Sequence, residues 1–193
     1  MTFSELPSTA AWRHRDARQG FESVFLASDR SGYRLEGHTS AVEQGQVWAV
    51  SYVIALDRHW RTRRAVVRGR SASGDREVRL EGDGSGRWRL NGSDVAGLGG
   101  CLDVDLESSA CTNTIPVHRL GADADPGAEA PAAYVRALDL TVERLEQRYT
   151  HLGDGRSGRR YEYSSPTFDF ECTLVYDSAG LVLEYPGIAS RVL

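Results

Sequence analysis

An all-β fold, mainly antiparallel and with little helix, is what this 193-residue sequence predicts. Three observations lead there. Apolar residues recur at every second position through most of the chain, Gly- and Asn-rich turns separate those runs, and only one segment also fits a helical stripe.

From Gln46 to Leu56, Trp48, Val50, Tyr52, Ile54 and Leu56 share one face, and Asp57-Arg58 ends the strand. Trp60 to Val67 continues through Arg61 and Arg63 to Ala65-Val66-Val67. Glu77 to Glu81 puts Val78 and Leu80 on one face, and Arg87 to Leu90 does the same with Trp88 and Leu90. The turn 81–86 and Asn91-Gly92 flank that last strand, a spacing typical of a meander. Leu102, Val104 and Leu106 alternate with Asp103, Asp105 and Glu107. Tyr161 and Tyr163 make a short aromatic strand before Pro166. Phe168 to Tyr176 reads as one long strand, which Asp177 to Gly180 turns into Leu181–Tyr185 before Pro186-Gly187. Leu138 to Tyr149 fits a helix or two strands, with strand preferred. Gly121 to Ala133, rich in Ala, Asp, Pro and Gly, reads as a loop without core residues.

Composition narrows the function classes. Forty per cent hydrophobic and 26 per cent charged residues exclude wholesale disorder. Twenty-three basic residues against 27 acidic ones give a net charge of −4, which argues against nucleic-acid binding through phosphate neutralisation. No apolar run approaches the about 20 residues of a membrane span. Met1 to Asp16 carries no apolar h-region, so a cytoplasmic location is expected. Cys101, Cys111 and Cys172 are widely spaced and odd in number, so all three are expected as free thiols. No repeat of 20 to 50 residues is present, and one patterning style runs throughout, so residues 1–193 are expected to form one domain.

Familiar catalytic signatures are absent: no nucleophile elbow, no metalloprotease motif, no phosphate-binding glycine loop and no dinucleotide fingerprint. His14, His38, His59, His118 and His151 show no ligand spacing, and neither metal nor cofactor is expected. Six arginines fall between Arg58 and Arg70, either as a solvated, paired face or as an anion-facing patch at a pocket mouth. Asp103, Asp105 and Glu107 on one strand face repel one another unless something neutralises them. They form a wet face, a hard-cation or catalytic site, or the partners of arginines such as Arg61 and Arg63.

The stretch from Gly100 to Arg119, with Thr112-Asn113-Thr114-Ile115-Pro116 behind the carboxylates, resembles the glycolipid-binding family of bacterial cytosolic proteins. Tyr52 to Arg63, Arg87-Trp88 with Asn91-Gly92, Gln147-x-Tyr149 and Asp177 to Gly187 match in the same order, so the resemblance spans about Trp12 to Arg191. One departure lies at Ser109-Ala110, where the family pattern has Thr-Pro and where a looser turn is therefore expected. The resemblance implies a curved, barrel-like β-roll around an elongated apolar cavity, with an intracellular amphiphile such as a glycolipid as its partner. The face of Trp48, Val50, Tyr52, Ile54 and Leu56 would line the cavity with that of Phe168, Phe170, Leu174 and Tyr176, the alternative being that the two faces pack against each other as a closed core. Arg61, Arg63, Asp103, Asp105 and Glu107 would sit at its polar end, and Trp60, Thr112, Asn113, Arg119, Gln147 and Tyr149 are further candidate ligand-binding residues. The competing expectation is an enzyme acting on a lipid or sugar derivative, with Asp103, Asp105 and Glu107 as acid and base.

Overall fold

A computed structural model describes residues 3–121, 127–155 and 158–193. Its first eight strands run as a meander: β1 (Thr9–His14), β2 (Gln19–Ser28), β3 (Gly32–Glu43), β4 (Gln46–Asp57), β5 (Thr62–Ser71), β6 (Gly74–Gly82), β7 (Trp88–Leu90) and β8 (Ser93–Asp94). Asn91-Gly92, both at positive φ (50° and 87°), makes the two-residue turn from β7 to β8 that this dipeptide favours. Then come β9 (Asp103–Leu106) and the short helix α1 (Thr114–Leu120). The remainder is β10 (Ala128–Glu129), β11 (Ala132–Val135), β12 (Val142–Leu145), β13 (Arg148–Gly155), β14 (Gly158–Ser165), β15 (Phe170–Tyr176), β16 (Val182–Tyr185) and β17 (Ala189–Arg191).

Fourteen of these strands form one sheet, in the order β10-β13-β14-β15-β16-β17-β1-β2-β3-β4-β5-β6-β7-β8. Every pairing in it is antiparallel, and β17 beside β1 joins the two halves of the chain through Trp12↔Arg191. Register shifts at Ala55/Leu56, Val175/Tyr176 and His151/Gly153 add local bend to the ordinary strand twist. The sheet curves but does not close, since β10 and β8 remain its edges.

The curve has something to wrap around. A second sheet, β12-β11-β9, contains the parallel pair β9–β11. The segment carrying β9 and the turn after it is held from both halves of the large sheet. Thr62 N donates to Leu102 O, Thr39 Oγ1 to Ser108 O, and the Trp88 indole to Cys101 O. From the other half, Tyr149 and Tyr176 both donate to Asn113. All four residues of β9 are buried, as a strand covered on both faces must be. The apolar face of β4 (Trp48, Val50, Tyr52, Ile54, Leu56) packs into this interior as core. The elongated apolar cavity expected there is therefore largely filled by protein: Ile54 has no exposed surface.

Several expectations need correction. The one α-helix among the described residues is Thr114–Leu120, within the stretch that carries the resemblance. Its first turn buries Ile115 and accepts Pro116, which needs no amide partner there. Within Leu138 to Tyr149 the preferred strand reading holds for Val142–Leu145 and from Arg148, where β13 begins, but Leu138 to Leu140 lies in a turn. Residues 122–126 of the loop expected over Gly121–Ala133 lie outside the described residues. The rest of that segment forms β10 and begins β11, and Ala130, Ala132 and Ala133 are fully buried. Phe168 belongs to a 3₁₀ turn, Pro166–Phe168, and the strand starts at Phe170.

Candidate functional site

An open cleft of about 250 Å³ lies where the β14–β16 part of the large sheet faces the inner sheet. Tyr163, Phe170 and Tyr185 from β14, β15 and β16 supply one wall, with Leu145 and Ile188 beside them. Asp105, Ser109 and Asn113 supply polar atoms from β9 and the following turn, and Arg18, Glu107 and Arg136 stand at the margin. The walls meet where the Tyr134 ring approaches Phe168 at 5.5 Å, with the Arg136 guanidinium over both rings. The cleft is smaller than the roughly 300–1,000 Å³ typical of pockets that engulf a whole ligand. It has room for one compact polar group.

The three carboxylates of the β9 region take three different roles. Asp103 is fully buried and receives a two-pronged grip from Arg119, Nε to Oδ1 and Nη2 to Oδ2, each at 2.7 Å. Asp105 Oδ1 accepts the Thr112 hydroxyl at 2.7 Å. Burial pushes the Asp105 carboxyl up to about 6, with the nearby Asp103 and Glu107 charges adding to the rise. Glu107 lies just past β9, where its Oε2 accepts the Ala137 amide at 2.8 Å and its Oε1 lies 3.6 Å from Arg136. Arg61 and Arg63 are not the partners: Arg61 donates to Gly84 O, and Arg63 lies 3.9 Å from Asp57. Alternation explains this, because Thr62 turns inward, its hydroxyl accepting the Val104 amide, which sends its neighbours outward. The arginines further along β5 pair on the surface, Arg68 with Glu77 and Arg70 with Asp75.

Behind the cleft lies a layer of tyrosines. Tyr149 donates to Asn113 Oδ1 at 2.9 Å, and Tyr163 donates to Gln147 Oε1 at 3.2 Å. Thus Asn113, Gln147 and Tyr149 come together, with Thr112 beside them on Asp105. Trp60 lies elsewhere, stacked between Tyr33 (4.2 Å) and His118 (3.8 Å). Trp48 packs under the Arg18 guanidinium at 5.4 Å.

Sequence reasoning missed Glu22 and Arg18. Glu22 is fully buried on β2, where the Tyr52 and Ser109 hydroxyls donate to Oε1 and the Ala110 amide donates to Oε2 at 2.8 Å. Burial raises its pKa against those hydrogen bonds. The Ser109-Ala110 departure is therefore not a looser turn. It is anchored, through an amide that a proline at position 110 would lack.

The comparisons agree with this architecture. A crystal structure of a DUF1089 family protein from Pseudomonas aeruginosa is 30% identical, with a TM-score of 0.77, covering 100% of this chain and 98% of that one. A β-barrel-like protein of the DUF1849 family from Brucella abortus shares the fold at 10% identity and a TM-score of 0.56, over 98% of this chain and 96% of that one. No curated protein sequence matches the chain. The family model described as "Putative glycolipid-binding" matches residues 9–191, and the chain belongs to that family.

Proposed function

We propose that the protein binds an amphiphile, with a sugar head in the cleft and an apolar chain laid along Phe168, Phe170 and Tyr185. One observation carries this reading: rings from β11, β14, β15 and β16 surround a small polar set of Asp105, Ser109 and Asn113. Apolar faces with a few fixed polar groups are what hold and orient such a ligand. The description of the family supports the sugar-bearing head. In this reading Asp105, Glu107 and Asn113 touch the head, while Thr112, Gln147 and Tyr149 hold them in place. Asp103, Arg119, Tyr52, Trp48, Ile54 and Trp60 act through the fold, and Arg61 and Arg63 stand outside the site. Residues 1–193 work as one unit. The cytoplasm is the compartment, supported by Cys101, Cys111 and Cys172 all being unpaired. No helix among the described residues is long and apolar enough to cross a membrane.

The test is calorimetric titration with n-octyl β-D-glucoside below its micelle concentration, alongside mass spectrometry of lipid extracted from the purified protein. Saturable uptake that Phe170→Ala abolishes is the expected result. A protein that takes up no amphiphile and yields no lipid would sink the reading.

A second reading rests on Asp105 and Glu107 facing one cleft in different surroundings. A buried acid beside a more exposed carboxylate is the pairing that glycoside hydrolysis uses. Against it, both Glu107 oxygens are already engaged by Ala137 and Arg136. Turnover of a chromogenic aryl glycoside, lost in Asp105→Asn, would favour this second reading.

A further inference from the structure

We propose that the head held in the cleft is an aminated sugar, whose protonated amine meets Asp105 beside the rings of Tyr163, Phe170 and Tyr185. This deepens the amphiphile reading and rests on it. Asp105 lines the cleft and is 6% exposed. The groups that reach its carboxylate, the Thr112 hydroxyl and the Leu106 amide, carry no charge. Its two acidic neighbours are provided for, Asp103 by Arg119 and Glu107 by Arg136 and the Ala137 amide. Among the described residues no arginine or histidine pairs with Asp105. A carboxylate buried without a cation is costly, and fully buried acids are almost always paired. This one opens on a space that a ligand can enter.

The missing partner is a cation, and an ammonium suits the surroundings. Tyr163, Phe170 and Tyr185 stand with ring centroids 5.9–6.2 Å apart and planes tilted by 59–76°. Tilted in this way, the rings wall the cleft instead of closing it by flat stacking. Ring faces attract a cation within about 6 Å of the centroid, and a space of 250 Å³ keeps its occupant inside that reach. The Asp105 charge is felt at this wall, since it adds to the raised pKa of both Tyr163 and Tyr185. The opposite wall already uses the same contact, with Arg136 over Tyr134 and Phe168 at 5.3 and 5.1 Å. A phosphate beside the amine would find no such provision. Arg136 is held by Glu107 and Glu143, while Arg18 lies 3.7 Å from Glu43 and donates to the Glu107 carbonyl. Asp105, Glu107, Glu43 and Glu143 thus face only two guanidiniums here. That excess of negative charge favours a sugar amine over the ethanolamine of a phospholipid.

The test uses the full chain at neutral pH with three short-chain probes below their micelle concentrations: octyl β-D-glucoside, octyl 2-amino-2-deoxy-β-D-glucoside and dihexanoyl phosphatidylethanolamine. In calorimetric titration the amino sugar should bind about tenfold tighter than the glucoside, the scale of one charge-assisted hydrogen bond. The phospholipid should bind more weakly than the amino sugar. The Asp105 carboxyl carbon resonance should move as the amino sugar saturates. Asp105→Asn keeps an acceptor for Thr112 but removes the charge, so it should bring the two sugars within about twofold of each other. Because the resonance is read in the wild type, the test stands even if the variant folds poorly. Three results overturn the subsite and leave amphiphile binding intact: an amino sugar no tighter than the glucoside, an unmoved Asp105 resonance, or a full preference for the amine in Asp105→Asn. Phospholipid binding tighter than the amino sugar overturns the sugar as the source of the amine. A wild type that binds none of the three probes overturns both readings.

Discussion

The Tyr52 phenol lies across the backbone of Gly37 and donates to Glu22 Oε1 at 2.6 Å. Three adjacent strands are involved, with Tyr52 on β4, Gly37 paired to it on β3, and Glu22 on β2. A side chain at position 37 would occupy the space of the ring, since a Cβ there would sit 2.1 Å from Tyr52 Cζ. The same carboxylate reaches onward to Ser109 and Ala110, so this relationship fixes the turn that ends the floor of the cleft.

Gly37→Ala should therefore destabilise the fold more than Tyr52→Phe. The alanine displaces the ring and strands Glu22 at once, costing about 3 kcal/mol or more. The phenylalanine removes one donor while Ser109 and Ala110 stay in place, costing about 1–3 kcal/mol. Urea unfolding of both variants checks the order, and equal losses would mean that Gly37 has no special part.

This hub also shows what the sequence hid. Strands from β4 to β7 were legible because their inward faces are strongly apolar, while their outward faces are small or aliphatic on β4 and mostly charged on β5 to β7. On β2 the code is inverted: Glu22 is fully buried, while Phe21 and Phe25 are 47% and 63% exposed. On β3 the inward positions include Gly37 and Thr39, which carry no hydrophobic signal. For the site, the Asp103–Thr112–Asn113 region could be found from its clustered carboxylates and amides. Arg119 as the partner of Asp103 could not, because the pairing depends on α1, and a seven-residue helix with a proline in its first turn leaves little periodicity to read. Arg18 was invisible for a related reason, since only the fold brings the turn between β1 and β2 over Trp48.

Asp105 gives the stability a pH dependence of definite sign. Its carboxyl is raised from 3.8 to about 6 in the fold, chiefly by burial. The fold therefore prefers the protonated form. That preference is fully present below the unfolded value and is lost as pH rises through about 6. By linkage the loss is at most ~3 kcal/mol. Asp105→Asn keeps an acceptor for Thr112 and removes the titration. It should match the wild type near pH 4 and be more stable at pH 7, which thermal unfolding at the two pH values will show. A variant less stable at pH 7 would mean that the ionised form is favoured in place.

The Asp103–Arg119 pair should show the asymmetry of buried ions. Arg119→Leu leaves a fully buried carboxylate without its partner and should cost about 3–5 kcal/mol. Adding Asp103→Asn to that variant should recover much of the loss, because the uncompensated charge is then gone. Chemical denaturation of the two singles and the double completes the cycle. Strict additivity would show that the two groups act independently, contrary to their two 2.7 Å contacts.

Core and cleft can be separated by two enlargements read on both stability and binding. Ile54 lies in the middle of the buried face of β4, has no exposed surface and belongs to the main apolar cluster. Interiors packed to crystal-like density do not absorb an indole in place of a butyl group without moving neighbours. Ile54→Trp should cost about 1–3 kcal/mol while octyl glucoside affinity stays within twofold, about the scatter expected of a distant site. Phe170 is only half-buried, in contact with Tyr163 and Tyr185 on the cleft wall. Phe170→Trp has open space to grow into, so its stability should change by under about 1 kcal/mol, as for a partly exposed position. The added ring would fill part of a 250 Å³ space and exclude the head, so glucoside binding should fall sharply. If Ile54→Trp instead folds normally and abolishes binding, the ligand sits inside the curve of the large sheet rather than in the cleft.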